Sequence, residues 1–210
     1  MKTAILALSF FAFAFITTPI TGITATAAAP EPVLDISGQK LRTGVNYYIL
    51  PVIRGRGGGL LLANSGNNTC PLYVVQETKE TFSGQPVTFS PYDAKNGVIF
   101  TSSDLNIKSF VTETTSCDQS TVWKLLKVLT GVWFLSSGGV EGNSGAQPET
   151  IVNWFKIEKA EKDYELSFCP SVCKCQTLCR SLGIYIGDDG KRHLALSDKV
   201  SPFRVMFKRA

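Results

Sequence analysis

Six cysteines, Cys70, Cys117, Cys169, Cys173, Cys175 and Cys179, are the most reactive set of side chains in this 210-residue sequence, and the last four are spaced C-x3-C-x-C-x3-C. Thiolates at such spacing either hold a metal or pair as disulfides. Zinc sites usually set their ligands in pairs two to four residues apart, often with histidine. The single histidine, His193, is remote from the cluster in sequence. An even number of cysteines behind a secretory leader means disulfides, so no metal and no cofactor is expected. Cys70 is expected to pair with Cys117. The clustered four allow three pairings, among which the sequence does not choose; the nested arrangement, Cys169–Cys179 around a tight Cys173–Cys175 ring, is the expectation.

Catalytic chemistry finds little support. A hydrolase needs a nucleophile beside a base that a third group orients, and no G-x-S-x-G elbow occurs. His193, just after the Asp188-Asp189-Gly190 turn, is expected at the surface of a hairpin. The pairs Asp188 with Asp189 and Glu158 with Glu161 are expected to be solvated turn carboxylates. The run Arg54-Gly55-Arg56-Gly57-Gly58-Gly59 lacks the Lys-Ser/Thr of a phosphate loop and is expected to be a flexible hairpin loop. The chain is therefore not read as an enzyme.

The leader is Met1-Lys2, an apolar run from Ala4 to Ile16 and the small-residue signal Ala25-Thr26-Ala27. Residues 1–27 are expected to be a signal peptide and residues 28–210 a single domain, secreted to the extracellular space (the apoplast) or sent to the vacuole. In that compartment Asn67-Asn68-Thr69 is a glycosylation acceptor on Asn67, on an exposed loop before Cys70. With 44% hydrophobic and 18% charged residues the chain is globular. A net charge of +4 is too mild for a nucleic-acid partner, and no later stretch approaches the roughly 18 apolar residues of a membrane span.

The elements that must carry these residues are short strands. Leu60 to Leu62, Leu72 to Val75, Val98 to Thr101 and Val132 to Leu135 are brief apolar runs, while Tyr164, Leu166 and Phe168 alternate with Glu165 and Ser167, and Phe203, Val205 and Phe207 with Arg204, Met206 and Lys208. Turn residues separate them, among them Asn96-Gly97 and Gly142-Asn143-Ser144-Gly145. Val122 to Val128 suits two helical turns or a strand. An all-β barrel or sandwich follows. Glu141 to Thr150 is expected to be a surface loop. Trp123-Lys124-Leu125 and Trp154-Phe155-Lys156 hint weakly at related units.

One segment carries a family resemblance. Val33-Leu34-Asp35-Ile36-Ser37-Gly38-Gln39-Lys40-Leu41, five further residues and Tyr47-Tyr48-Ile49 resemble the signature of the plant Kunitz (soybean trypsin inhibitor type) family, with Ser37 departing from its usual choices. The resemblance continues through Cys70-Pro71-Leu72, Ser90-Pro91-Tyr92, Trp154-Phe155-Lys156-Ile157 and the final strand. The cysteine cluster is similar to that of the miraculin-like branch, with one residue, Lys174, in place of two between the middle cysteines. The resemblance implies a β-trefoil of twelve strands in three pseudo-repeats.

It also implies an activity: reversible inhibition of a secreted or digestive protease, serine class first and cysteine class second, by a substrate-like loop between the fourth and fifth strands. The loop falls in Ser90-Pro91-Tyr92-Asp93-Ala94-Lys95-Asn96-Gly97-Val98. Pro91 fixes its own φ and holds Ser90 extended. The family's Arg or Lys position is occupied by Asp93, whose carboxylate would meet the carboxylate of a trypsin-like pocket. Lys95 is the loop's basic side chain, which makes Lys95–Asn96 the candidate bond, within a reactive loop of Tyr92, Asp93, Ala94, Lys95 and Asn96. Asn96-Gly97 also favours a tight turn. The loop-bracing Asn of the family corresponds to Thr43, a shorter side chain with no amide donors. A monomer is expected. The alternative is a non-inhibitory, miraculin-like defence, stress or binding protein that keeps the scaffold without the reactive site.

Overall fold

The computed structural model describes residues 29–64, 70–111, 117–129, 131–142, 148–173 and 175–210. The leader and the Asn67 acceptor lie outside the described residues. Period-two alternation of apolar side chains sets the strands: Tyr47 and Ile49 are buried while Tyr48 and Leu50 are only half covered. Three units follow one another. The first is β1 (Tyr47–Pro51), β2 (Leu60–Ala63), β3 (Tyr73–Gln76) and β4 (Val87–Pro91). The second is β5 (Leu105–Ser109), β6 (Lys124–Leu129), β7 (Val132–Ser136) and β8 (Lys156–Ala160). The third is β9 (Asp163–Phe168), the two-residue β10 (Arg180–Ser181), β11 (Gly183–Ile186), β12 (Arg192–Ser197) and β13 (Arg204–Arg209). The first strands of the units begin at residues 47, 105 and 163, equal intervals of 58 residues.

The outer strands of the units close a six-membered ring. β13 pairs β1, β1 pairs β4 and β4 pairs β5. Leu105 and Phe155 exchange both backbone hydrogen bonds at 2.9 Å, linking β5 to the start of β8. β8 pairs β9, which returns to β13. The inner strands form three hairpins, β2–β3, β6–β7 and β11–β12. The hairpins meet because β3, β7 and β12 all pair with one another. A six-stranded barrel capped by three hairpins about a pseudo-threefold axis is a β-trefoil. It has the twelve strands that the resemblance implies, plus β10 on the edge of β9.

The barrel interior is filled by Phe89, Phe155, Phe207, Ile49, Leu105 and Ile107, all under 2% exposed. Phe89 and Phe207 meet edge to face at 5.6 Å, a favoured aromatic geometry. Trp123 is fully buried, and its indole N–H donates to Ser109 Oγ at 2.9 Å, which satisfies the one polar atom of the ring.

Of the two readings open for Val122 to Val128 the strand is the one found, with β6 over Lys124–Leu129 and a single bridge at Val122. Other sequence expectations are corrected. Val98 to Thr101 forms no ladder; Val98 and Phe100 make single bridges to Arg42 and Pro32 of the N-terminal segment. The two tryptophan triplets are not equivalent, since Trp123 precedes β6 and Trp154 precedes β8. The Gly57-Gly58-Gly59 run is buried and fixed: Gly58 N–H donates to Glu77 O at 2.7 Å and Gly59 N–H to Phe82 O at 2.9 Å. A Cβ on Gly59 would lie 1.9 Å from Ser83 O, so only glycine lets these backbones approach. Part of the Glu141 to Thr150 loop is a one-turn helix, Pro148–Ile151.

The N-terminal signature has a structural reason. Asp35, 8% exposed, accepts hydrogen bonds from the Ser37 hydroxyl (2.6 Å) and from the N–H groups of Ser37 and Gln39 (both 2.9 Å). Burial pushes its carboxyl up, but the Ser37 hydroxyl, the two N–H groups and the Arg209 charge outweigh burial and hold it below the ordinary value. A carboxyl depressed by folding contributes stability above its unfolded value of about 3.9, lost as pH falls through the folded value. Urea unfolding between pH 5 and pH 2 is expected to show that loss in the wild-type chain. In Asp35→Asn it is expected to be shallower, from a starting stability about 1 kcal/mol lower at pH 5.

Candidate functional site

The loop from Pro91 to Gly97 leaves the barrel at the end of β4, and the chain regains it at Leu105, whose register partner is Pro91. Tyr92, Asp93, Ala94 and Asn96 are exposed, with Tyr92 at 58%. The base of the loop is held on both sides. Tyr92 N–H donates to Asp104 O at 2.8 Å, and its ring packs edge-on against buried Trp154 at 5.7 Å. On the other side, Thr43 N–H donates to Gly97 O at 3.0 Å and Arg42 Nη1 donates to Asn96 O at 3.4 Å. Thr43 therefore supports the loop through its backbone. The side chain that reaches toward it from the N-terminal segment is Arg42, which sequence reasoning did not single out. Nor did it assign Trp154 or Asp104 to the loop, although Trp154 stood inside a motif of the resemblance.

The segment Lys95–Gly97 is a 3-10 turn. Asn96 takes φ 55° and ψ 24°, and Gly97 takes φ 65°. These are left-handed values that Asn and Gly tolerate best, so Asn96-Gly97 makes the tight turn that its residue types favour. The backbone on the Lys95 side is curled, whereas Pro91 at the end of β4 belongs to the extended strand. The exposed residues between these two states are Tyr92, Asp93 and Ala94.

Asp104 ties the loop to the cysteine cluster. Its carbonyl holds Tyr92, while its carboxylate accepts from Ser171 N–H at 3.0 Å and from the Ser171 hydroxyl at 2.5 Å. Lys156 Nζ donates to Ser171 Oγ at 3.0 Å and lies 3.8 Å from Asp104, both side chains largely buried. A lysine that donates to the serine hydroxyl is not drawing its proton away, so this Ser-Lys-Asp trio acts as a clamp. Ser171 lies between Cys169 and Cys173. The disulfides are Cys70–Cys117, Cys169–Cys179 and Cys173–Cys175, with no cysteine left free. Among the described residues no three His, Cys, Asp or Glu side chains converge to hold a metal ion.

His193 is not at the surface. It is 1% exposed, stacks on Phe134 at 4.2 Å between ring centroids and meets the edge of Tyr73 at 5.4 Å. Its Nε2 lies 3.0 Å from Asp189 Oδ1, so Asp189 is a partner of a buried ring rather than a free turn carboxylate. The expectation failed because strand β12 turns His193 inward beside its register partner Val75. Its Nδ1 has no hydrogen-bond partner among the described residues, and no nucleophile is poised against it there.

Comparison with known proteins gives a consistent picture. A family model described as trypsin and protease inhibitor matches residues 33–209. The chain is 53% identical over 192 residues to Kunitz trypsin inhibitor 5 of Arabidopsis thaliana, covering 90% of each protein. It is 48% identical to miraculin of Synsepalum dulcificum, covering 89% of this chain and 87% of that one. Among solved structures, a Kunitz-type cysteine protease inhibitor from potato superposes with a TM-score of 0.73 at 35% identity, over 87% of this chain and 98% of that one.

Proposed function

The chain belongs to the plant Kunitz family of trypsin and protease inhibitors, and on that premise we propose that it is a secreted inhibitor of serine endopeptidases that presents the Pro91–Gly97 loop to its target. The observation that carries this reading is the loop's construction: exposed at Tyr92, Asp93, Ala94 and Asn96, and fixed at both ends by Asp104, Trp154, Arg42 and Thr43. A pre-ordered segment loses little conformational entropy when an enzyme closes on it and needs little backbone change to dock. The clamped scaffold would hold the two ends together after a cut, so that cleavage reverses. The chain itself performs no bond chemistry in this reading. It needs no cofactor and acts on its protease as a monomer.

Lys95 is the residue we assign to a trypsin-like pocket, with Lys95–Asn96 as the bond presented; docking there requires the turn to open. Incubation of the mature protein with trypsin, chymotrypsin and papain is the test. Reversible, stoichiometric inhibition of trypsin that weakens about tenfold or more in Lys95→Ala, with an unchanged unfolding temperature, is the expected result. Inhibition that survives Lys95→Ala places the contact elsewhere in the loop or on another loop.

A second reading, a non-inhibitory defence, stress or binding protein, is favoured by two observations. An exposed acidic residue, Asp93, stands where the resemblance places an Arg or Lys, and the backbone at Lys95–Gly97 is curled. Lack of inhibition of all three proteases would select it.

A further inference from the structure

We propose that a cleft between the end of β1, strand β11 and the segment before β13 binds a small amphipathic organic anion, one apolar body with one carboxylate or sulfonate head. The cleft encloses about 300 Å3, the lower end of the range for small-molecule sites. It shares no lining residue with the 90–98 loop, so this site is independent of protease inhibition.

Its floor and walls are aliphatic and aromatic: Ile53, Ile184, Ile186 and Phe203. Ile186 is 64% exposed and Ile53 is 53% exposed. Two large aliphatic side chains left in water on either side of one cavity are apolar area that a ligand would cover.

The polar lining has a single sign. Arg56, Arg192, Lys199 and Arg204 border the cleft, and no Asp or Glu does. Arg192 is aimed by a buried amide. Gln76, 2% exposed, accepts from Arg192 Nε at 3.0 Å and from Nη2 at 2.7 Å, while its own Nε2 donates to Gly58 O at 3.1 Å. Arg204 is already answered away from the cleft, by Asp163 at 3.2 Å, Glu161 at 3.8 Å and the Ala160 carbonyl, so the cations left for a ligand are Arg56, Arg192 and Lys199. The side chains of Arg56 and Lys199 carry no ion pair among the described residues.

These features select the ligand class. A neutral lipid would leave the cations of Arg56 and Lys199 unanswered. Free phosphate would leave Ile53 and Ile186 uncovered. An amphipathic monoanion satisfies both halves of the cavity.

The test uses the full mature chain at neutral pH and the fluorescent anion 1-anilinonaphthalene-8-sulfonate as probe. Saturable enhancement at one site per chain is expected, with displacement by octanoate and none by octanol at equal concentration. The double variant Arg56→Gln/Lys199→Gln changes two exposed side chains. It is expected to weaken probe binding about tenfold while leaving the unfolding temperature and any protease inhibition as in the wild type. No saturable enhancement, equal displacement by octanol, or unchanged affinity in the double variant would each overturn the proposal.

Discussion

Asp93→Arg is expected to tighten inhibition of trypsin about a hundredfold or more relative to the wild-type chain. Asp93 is exposed and directly follows Tyr92, whose amide and ring are fixed by Asp104 and Trp154. It stands where the resemblance places an Arg or Lys. In a register that presents position 93, the wild-type carboxylate would meet a trypsin-like pocket that carries a carboxylate of its own, and like charges in contact cost several kcal/mol. Arginine replaces that repulsion with a desolvated ion pair, and close charge pairs across a protein–protein interface couple by about 1.5–7 kcal/mol. About 2.7 kcal/mol already corresponds to a hundredfold. The measurement is the inhibition constant of both proteins against trypsin, with papain as the control expected not to change. A variant that gains nothing against trypsin would mean that the enzyme does not reach the loop through position 93. Paired with Lys95→Ala, the experiment separates two registers of the same loop: one through Asp93 beside the extended strand, one through Lys95 in the turn.

The second large effect concerns the Cys70–Cys117 bridge. The two cysteines are separated by 47 residues, a span that contains β3, β4, the exposed loop and β5. Cross-linking a span of that length restricts the unfolded chain by about 4 kcal/mol on the chain-entropy account. The double variant Cys70→Ser/Cys117→Ser is therefore expected to lower the urea midpoint by about 2 M, taking an m-value of about 2 kcal/mol/M. Removing Cys173–Cys175, which spans two residues, is expected to shift the midpoint far less because almost no chain is closed. Equal effects from the two bridges would mean that the larger one acts through native contacts rather than through the unfolded state.

How far the sequence discloses this protein depends on what each feature rests on. The N-terminal signature was legible because Asp35 and the residues after it form a local hydrogen-bonded turn, which needs particular side chains at fixed offsets. The turn at Asn96-Gly97 was legible for the same reason. The 58-residue repeat was not, because the three units share backbone geometry while their side chains differ. Phe89, Phe155 and Phe207 fill one interior from three units without a common motif around them. Two misjudged sites, His193 and the glycine run, depend on neighbours far away in sequence: Phe134 and Tyr73 for the histidine, Glu77 and Phe82 for the glycines. The same holds at the loop, where Arg42 and Trp154 reach the 92–96 segment only after the barrel has closed.

The position of β13 in the ring governs how the protein can be made. It lies between β1 and β9, and in register with β1 from Tyr47–Arg209 to Pro51–Val205. Phe207 O also receives the Ile36 N–H. While β13 is still inside the ribosome, the outer ring stays open between β1 and β9, and the pairings that close it are among the most distant in the chain. Such long-range closures are slow. The nascent polypeptide thus emerges with its earliest strand waiting at an open edge, and the barrel closes only once β13 has left the ribosome.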